Sequence, residues 1–154
     1  MADSMELLAL RIQGTEKDTI EAVAAYRKAA ALYSSPALNE HSKALRCYAT
    51  ICSMTQRSAL ADTGVVYARL ADPILSRYQH TMSAAEVSYV LRNLAFTFLD
   101  MKDLDRARNY ATIALEKANS TGDIEAIDRS RDVLAAVYQE IGAWKEAIAM
   151  ERIL

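Results

Sequence analysis

An all-α array of antiparallel helix hairpins is the fold this chain predicts, and three observations carry it. Alanines recur in pairs: Ala49, Ala95 and Ala135 stand 12 residues before Ala61, Ala107 and Ala147 (61−49, 107−95, 147−135). Each leading alanine has Leu45, Leu91 or Arg131 one turn before it and Cys52, Phe98 or Tyr138 one turn after it. Glycine totals 4 and proline 2 in 154 residues, too few to punctuate a sheet, while apolar residues between the breaks recur at three and four. Self-similarity of this kind marks a chain built from stacked copies of one unit, and no stretch alternates as a strand would.

The elements follow in order. Residues 4–12 read as a short first helix, and 18–34 as its partner, with Ala22, Tyr26 and Ala29 as a faded copy of the motif. Ser35-Pro36 ends that helix, because proline cannot continue it and restricts the residue before it. Helix 38–55 carries Leu45, Ala49 and Cys52; helix 58–71 carries Ala61 and Ala68 and stops at Asp72-Pro73. Residues 74–80 read as a loop or as an extension of the following helix. Helix 84–101 gathers Leu91, Leu94, Ala95, Phe98 and Leu99 on one face, and 104–119 gathers Leu104, Ala107, Ala111, Ala114, Leu115 and Ala118. In the polar turn from Asn119 to Asp123, Gly122 stops one helix and Asp123 caps the next. Helices 123–141 and 143–154 then pair about Gly142. One domain, 1–154, is expected: a partial unit over 4–34 and full units over about 38–73, 84–119 and 123–154.

The alanine spacing has a physical reason. Two helices approach to about 8–10 Å only where small side chains face each other. Ala95 and Ala107 are such a pair, Phe98 fills the space beside them, and Ala114 offers a small surface to the next hairpin. Ala135, Tyr138 and Ala147 repeat the arrangement.

These residues resemble the tetratricopeptide repeat, W-x2-L-G-x2-Y, then A-x3-F, then P. Leu91-x2-Leu94-Ala95-x2-Phe98 with Ala107-x3-Ala111 matches well; Leu45-x2-Tyr48-Ala49-x2-Cys52 with Ala61-x3-Val65, Ala68 and Pro73, and Arg131-x2-Leu134-Ala135-x2-Tyr138 with Ala147, match more loosely. The steps of 46 and 40 residues (95−49, 135−95) exceed the family's period of about 34, and alanine stands where the family has glycine. The resemblance implies a right-handed superhelix whose first helices line a concave groove. By that alignment Lys43, Arg46, Thr50, Tyr89, Arg92, Asn93, Phe96 and Arg129 are candidates to hold an acidic peptide or a partner helix.

A net charge of −2 excludes binding by phosphate neutralisation, so no nucleic-acid partner is expected. No apolar run reaches the roughly 18 residues of a membrane span, and Met1 to Leu10 lacks the basic and apolar regions of a signal peptide. Cys47 and Cys52, five apart on one helix, point away from each other and cannot bridge, which favours the cytoplasm. A periplasmic or other extracytoplasmic origin fits a piece cut from an exported sensor. His41 and His80 have no ligand-spaced partner, so neither metal nor cofactor is expected. No residues form a catalytic set, and an enzyme is the rival from another class.

The sequence therefore points to a protein-interaction module, in one version the sensing or regulatory segment of a larger signalling protein or transcription regulator. The alternative is a scaffold within a larger assembly. Ile148, Met150, Ile153 and Leu154 make a poor polar cap, so the chain reads as a piece of a longer protein or as one that pairs with itself through its last helix.

Overall fold

The computed structural model describes residues 2–11, 16–56 and 58–152. Among them are eight α-helices and one 3-10 turn, with no strand: α1 (Ala2–Arg11), α2 (Glu16–Tyr33), α3 (His41–Thr55), α4 (Ala61–Tyr78), the 3-10 turn (Gln79–Thr81), α5 (Ala84–Asp100), α6 (Leu104–Thr121), α7 (Ile124–Ile141) and α8 (Trp144–Arg152). The all-α class stands. Ile12, at the predicted end of the first helix, and Ile153 and Leu154, in the predicted last turn, lie outside the described residues. The helices fall into two compact units, Met1–Thr81 and Met82–Leu154.

In Met82–Leu154, α5 packs on α6, α6 on α7 and α7 on α8, and α5 also reaches past its neighbour to α7. Leu91, Leu94, Ala95, Phe98, Ala107, Ala111 and Ala114 are buried, as the periodicity predicts. The Phe98 ring meets Tyr110 edge-on, with centroids 5.5 Å apart. Ser88 Oγ donates to the Ala114 carbonyl at 3.0 Å and lies 3.4 Å from Ser130 Oγ, satisfying the hydroxyls where three helices meet.

The ends of these helices are set by local chemistry. Ser83 and Glu86 form a reciprocal capping box at the start of α5. Asp103 caps α6, and Asp123 caps α7 by accepting from the amides of Glu125 and Ala126. Gly122 and Gly142 close α6 and α7 in the left-handed conformation, at φ 72° and 88°.

In Met1–Thr81, α1 packs on α2, α2 on α3 and α3 on α4. Here α3 and α4 begin without a side-chain cap, at Glu40 and Leu60. Ala49 is buried, but Ala61 sits half-buried in the first turn of α4. Gly64, one turn on, makes the close approach: a Cβ there would stand 2.5 Å from Thr55 Oγ1. Cys52 Sγ donates to the Gly64 carbonyl at 3.4 Å, and Thr55 Oγ1 donates to the Ile51 carbonyl at 2.8 Å.

The break predicted at Asp72-Pro73 is corrected: α4 runs through Pro73 to Tyr78. Residues 74–80 extend the preceding helix and enter the 3-10 turn; they are neither loop nor part of α5. Proline removes one helical hydrogen bond, but Ala71 and Leu75 stay buried one turn apart on either side, so the apolar register outweighs the break. The predicted starts at 38 and 58 move to His41 and Ala61 because turns occupy the intervening residues.

Candidate interaction surfaces

The candidate groove residues divide between the units. Lys43, Arg46 and Thr50 lie along α3; Tyr89, Arg92, Asn93 and Phe96 lie along α5, with Arg129 on α7.

On α3 the cations have internal partners. The Arg46 guanidinium donates through Nε and Nη2 to the Glu6 carboxylate, at 3.1 and 2.8 Å. Tyr33, buried in α2, donates its hydroxyl to Asp3 and also reaches Glu6 Oε2 at 3.1 Å. Burial, then the bonds to Asp3 and Glu6, push the Tyr33 phenol well above its ordinary range. Lys43 pairs with Glu40 at 3.3 Å and lies over the Tyr33 ring. Thr50 Oγ1 turns to the Arg46 carbonyl at 2.8 Å. The result is a clasp of α1 carboxylates on α2 and α3. Sequence reading missed it because its partners are 27 to 40 residues apart, and no spacing rule links them.

On α5 and α7 the arrangement differs. Arg129 pairs with Glu125 on its own helix at 2.9 Å, in full view of solvent. The half-buried Arg92 lies over the Tyr89 ring at 5.1 Å and makes no ion pair among the described residues. Burial, then the nearby charge of Arg129, draw Arg92 below its ordinary pKa. The Asn93 amide is spent on the Tyr89 carbonyl at 2.9 Å.

Two cavities lie elsewhere. One, of about 640 Å³, is lined by Asp105, Arg108, Asn109 and Thr112 of α6 with Tyr138, Ile141, Ala143 and Glu146. The other, of about 230 Å³, is lined by Ile20, Val23, Ala24 and Arg27 of α2 with Leu60, Thr63 and Tyr67. No group of three His, Cys, Asp or Glu among the described residues could hold a metal ion. Both cysteines are buried and unbridged, and burial, then Glu6, push the Cys47 thiol up to about 12. His41 stacks on Tyr78 at 4.1 Å and meets Asn39 Oδ1 at 2.6 Å. No described helix is long and apolar enough to cross a membrane.

No family profile and no curated protein sequence matches this chain. The solved structure of BtubC (BKLC) from P. vanneervenii is similar, with a TM-score of 0.71 and 19% identity over 97% of this chain. The match spans 59% of that chain's length. The tetratricopeptide assignment is corrected accordingly, and no such repeat is assigned to this chain. The physical reason is that small residues at crossing points are what any closely packed helical hairpin requires. Paired alanines therefore report hairpin geometry and do not by themselves mark a family, and the long steps and missing glycines already departed from the family pattern. The likeness to BtubC, at this identity, is one of fold.

Proposed function

We propose that this chain is a structural element of a larger assembly, working by packing helix faces against other protein, with no chemistry of its own. The observation that carries this is apolar side chains left exposed one turn apart: Val66 and Leu70 on α4, Trp144 and Ile148 on α8. Single exposed apolar residues are ordinary, but pairs at helical spacing form faces that suit a protein contact. The internal pairing of Arg46 and Lys43 supports the same reading, since a peptide carboxylate would have to displace Glu6 or Glu40. The shared fold with BtubC is compatible with it. A cytoplasmic setting belongs to the proposal, on the ground of the two unbridged thiols.

The faces that hold a partner also bring copies of the chain together. Sedimentation velocity across a concentration series tests this: the mean mass rises with concentration, and a constant monomer mass removes the reading.

Peptide binding is a second reading, favoured by Arg92, a half-buried guanidinium with no carboxylate partner among the described residues. Titration of an acidic helical peptide then gives weaker binding to Arg92→Ala than to the parent, and equal affinity removes it.

A further inference from the structure

We propose that α1 is a displaceable strap over a receptor for two carboxylates, built by Tyr33 and Arg46, and that an acidic helix of another protein takes its place there. This goes beyond the exposed apolar faces above and does not depend on them.

The receptor is made of donors. The Tyr33 hydroxyl, at the end of α2, and Arg46 Nε and Nη2, on α3, converge on Asp3 and Glu6. Burial keeps the phenol protonated and therefore a donor. Lys43, 5.5 Å over the Tyr33 ring, adds positive charge beside Asp3. A guanidinium has no acceptor of its own, and two N–H groups side by side match the two oxygens of a carboxylate. Asp3 and Glu6 stand three apart on one helix, so they project from the same side and meet both donor groups together. An Asp-x-x-Glu pair on any helix presents the same two groups.

The strap is held more lightly than the receptor. α1 is ten residues long, short of the roughly 12–15 at which an isolated helix becomes marginal. It packs on α2, whereas α2 is held on both sides, by α1 and α3. The Arg46 side chain is 42% exposed, so water competes for the guanidinium and the bond to Glu6 is screened. Tyr33 is 1% exposed, and α3 buries Ala44, Leu45 and Cys47 around Arg46. The receptor is thus anchored by core packing that α1 does not supply alone.

Exchange is favoured over simple opening. With α1 lifted, the phenol and the guanidinium lose their acceptors, and a donor left unmet in a largely buried place costs more than its bond contributes when made. An incoming helix with carboxylates at the same spacing restores those bonds, and an uncharged one does not. The chain's own α1 competes at an effective concentration on the order of millimolar, so it selects for partners that add contacts to the acidic pair.

Fluorescence anisotropy with a labelled, end-blocked peptide of residues 2–11, an acidic helix of known fit, tests this on the full chain. The parent binds it weakly, because its own α1 holds the receptor. The double variant Asp3→Asn, Glu6→Gln loosens the strap and binds it at least about tenfold more tightly. Adding Arg46→Ala abolishes that gain, and circular dichroism verifies the helicity of each variant. The Asp3→Asn, Glu6→Gln form of the peptide does not bind. In the parent, which needs no substitution, excess acidic peptide speeds hydrogen exchange of the α1 amides. Equal affinity for parent and double variant, equal affinity for the uncharged peptide, or α1 exchange that the acidic peptide leaves unchanged overturns the proposal. So does a dimer, in sedimentation velocity, that forms in a mixture of parent and double variant and in neither alone, since the receptor then takes the α1 of a second copy.

Discussion

The two units are built from the same kind of hairpin, yet they are held in different ways. In Met82–Leu154 the instructions are local: Ser83 with Glu86, Asp103 and Asp123 start the helices, and Gly122 and Gly142 end them. In Met1–Thr81 the starts of α3 and α4 are uncapped, and long-range contacts do the work: Tyr33 and Arg46 on the α1 carboxylates, Gly64 against Thr55, His41 on Tyr78. The hairpin crossings differ too. Phe98 is a buried ring that meets Tyr110 edge-on, whereas Cys52 at the corresponding place is small and donates to the backbone of Gly64. One fold can thus be specified by capping or by tertiary contacts, and only capping is written over short spans of sequence.

Breaking each unit at its own contact sharpens this contrast. The largest effect is expected for Phe98→Ala, which empties a fully buried aromatic site beside Tyr110. A loss of about 3–5 kcal/mol in denaturant unfolding is expected. In the other unit, Gly64→Ala should cost about 1–3 kcal/mol, although alanine favours helix by up to about 1 kcal/mol, because Thr55 Oγ1 is buried and bonded and cannot swing aside. Thr55→Ala in the same chain should recover part of that loss in a double-mutant cycle; strict additivity would show that the two residues do not press on each other. Cys47 and Cys52 both lie in Met1–Thr81, buried, so thiol labelling follows this unit by itself: Gly64→Ala speeds labelling and Phe98→Ala does so less.

Smaller effects test the capping contrast. Asp123→Ala removes a side chain that accepts from two backbone amides and should cost about 0.5–2 kcal/mol. Glu40→Ala, at the uncapped start of α3, should cost less than Asp123→Ala, and a loss of equal size would end the distinction.

The smallest effect concerns pH. The Tyr33 hydroxyl, and after it Lys43, hold the Asp3 carboxyl below its ordinary 3.8. A carboxylate whose folded pKa is depressed adds stability above its unfolded pKa and loses it as pH falls through the folded value. The stability gap between parent and Tyr33→Phe is therefore widest at neutral pH and narrows as pH falls below the ordinary 3.8 and through the lower folded value. A gap that stays constant across that range would remove the carboxylate from the account.

Much of the fold was legible. The apolar face of α5, the alanines of α6 and the turn from Asn119 to Asp123 all lie where spacing placed them. The end of α4 was not, since Pro73 is a strong local stop signal and the buried Ala71 and Leu75 that carry the helix past it are tertiary facts. Ala61 was chosen as the small contact because the 12-residue interval pointed to it, whereas Gly64 is the residue at the crossing. The candidate groove residues were found as equivalent places on a repeat, charged and uncharged, and the engagement of Lys43, Arg46 and Arg129 with Glu40, Glu6 and Glu125 needed the structure. Val66 and Leu70 could have flagged an exposed apolar face on α4, because apolar residues off the buried stripe of a helix stand out in its periodicity.

By itself the sequence determined that this chain is helical, where most helices stop, and which small residues recur to let them pack, since these depend on spacing within a few turns. Tertiary structure decided which charges are already satisfied, where the closest crossing lies, and which apolar side chains stay exposed on the helices. Those outcomes depend on residues far apart in the chain meeting in space, where burial and partner set the energy and local spacing has no say.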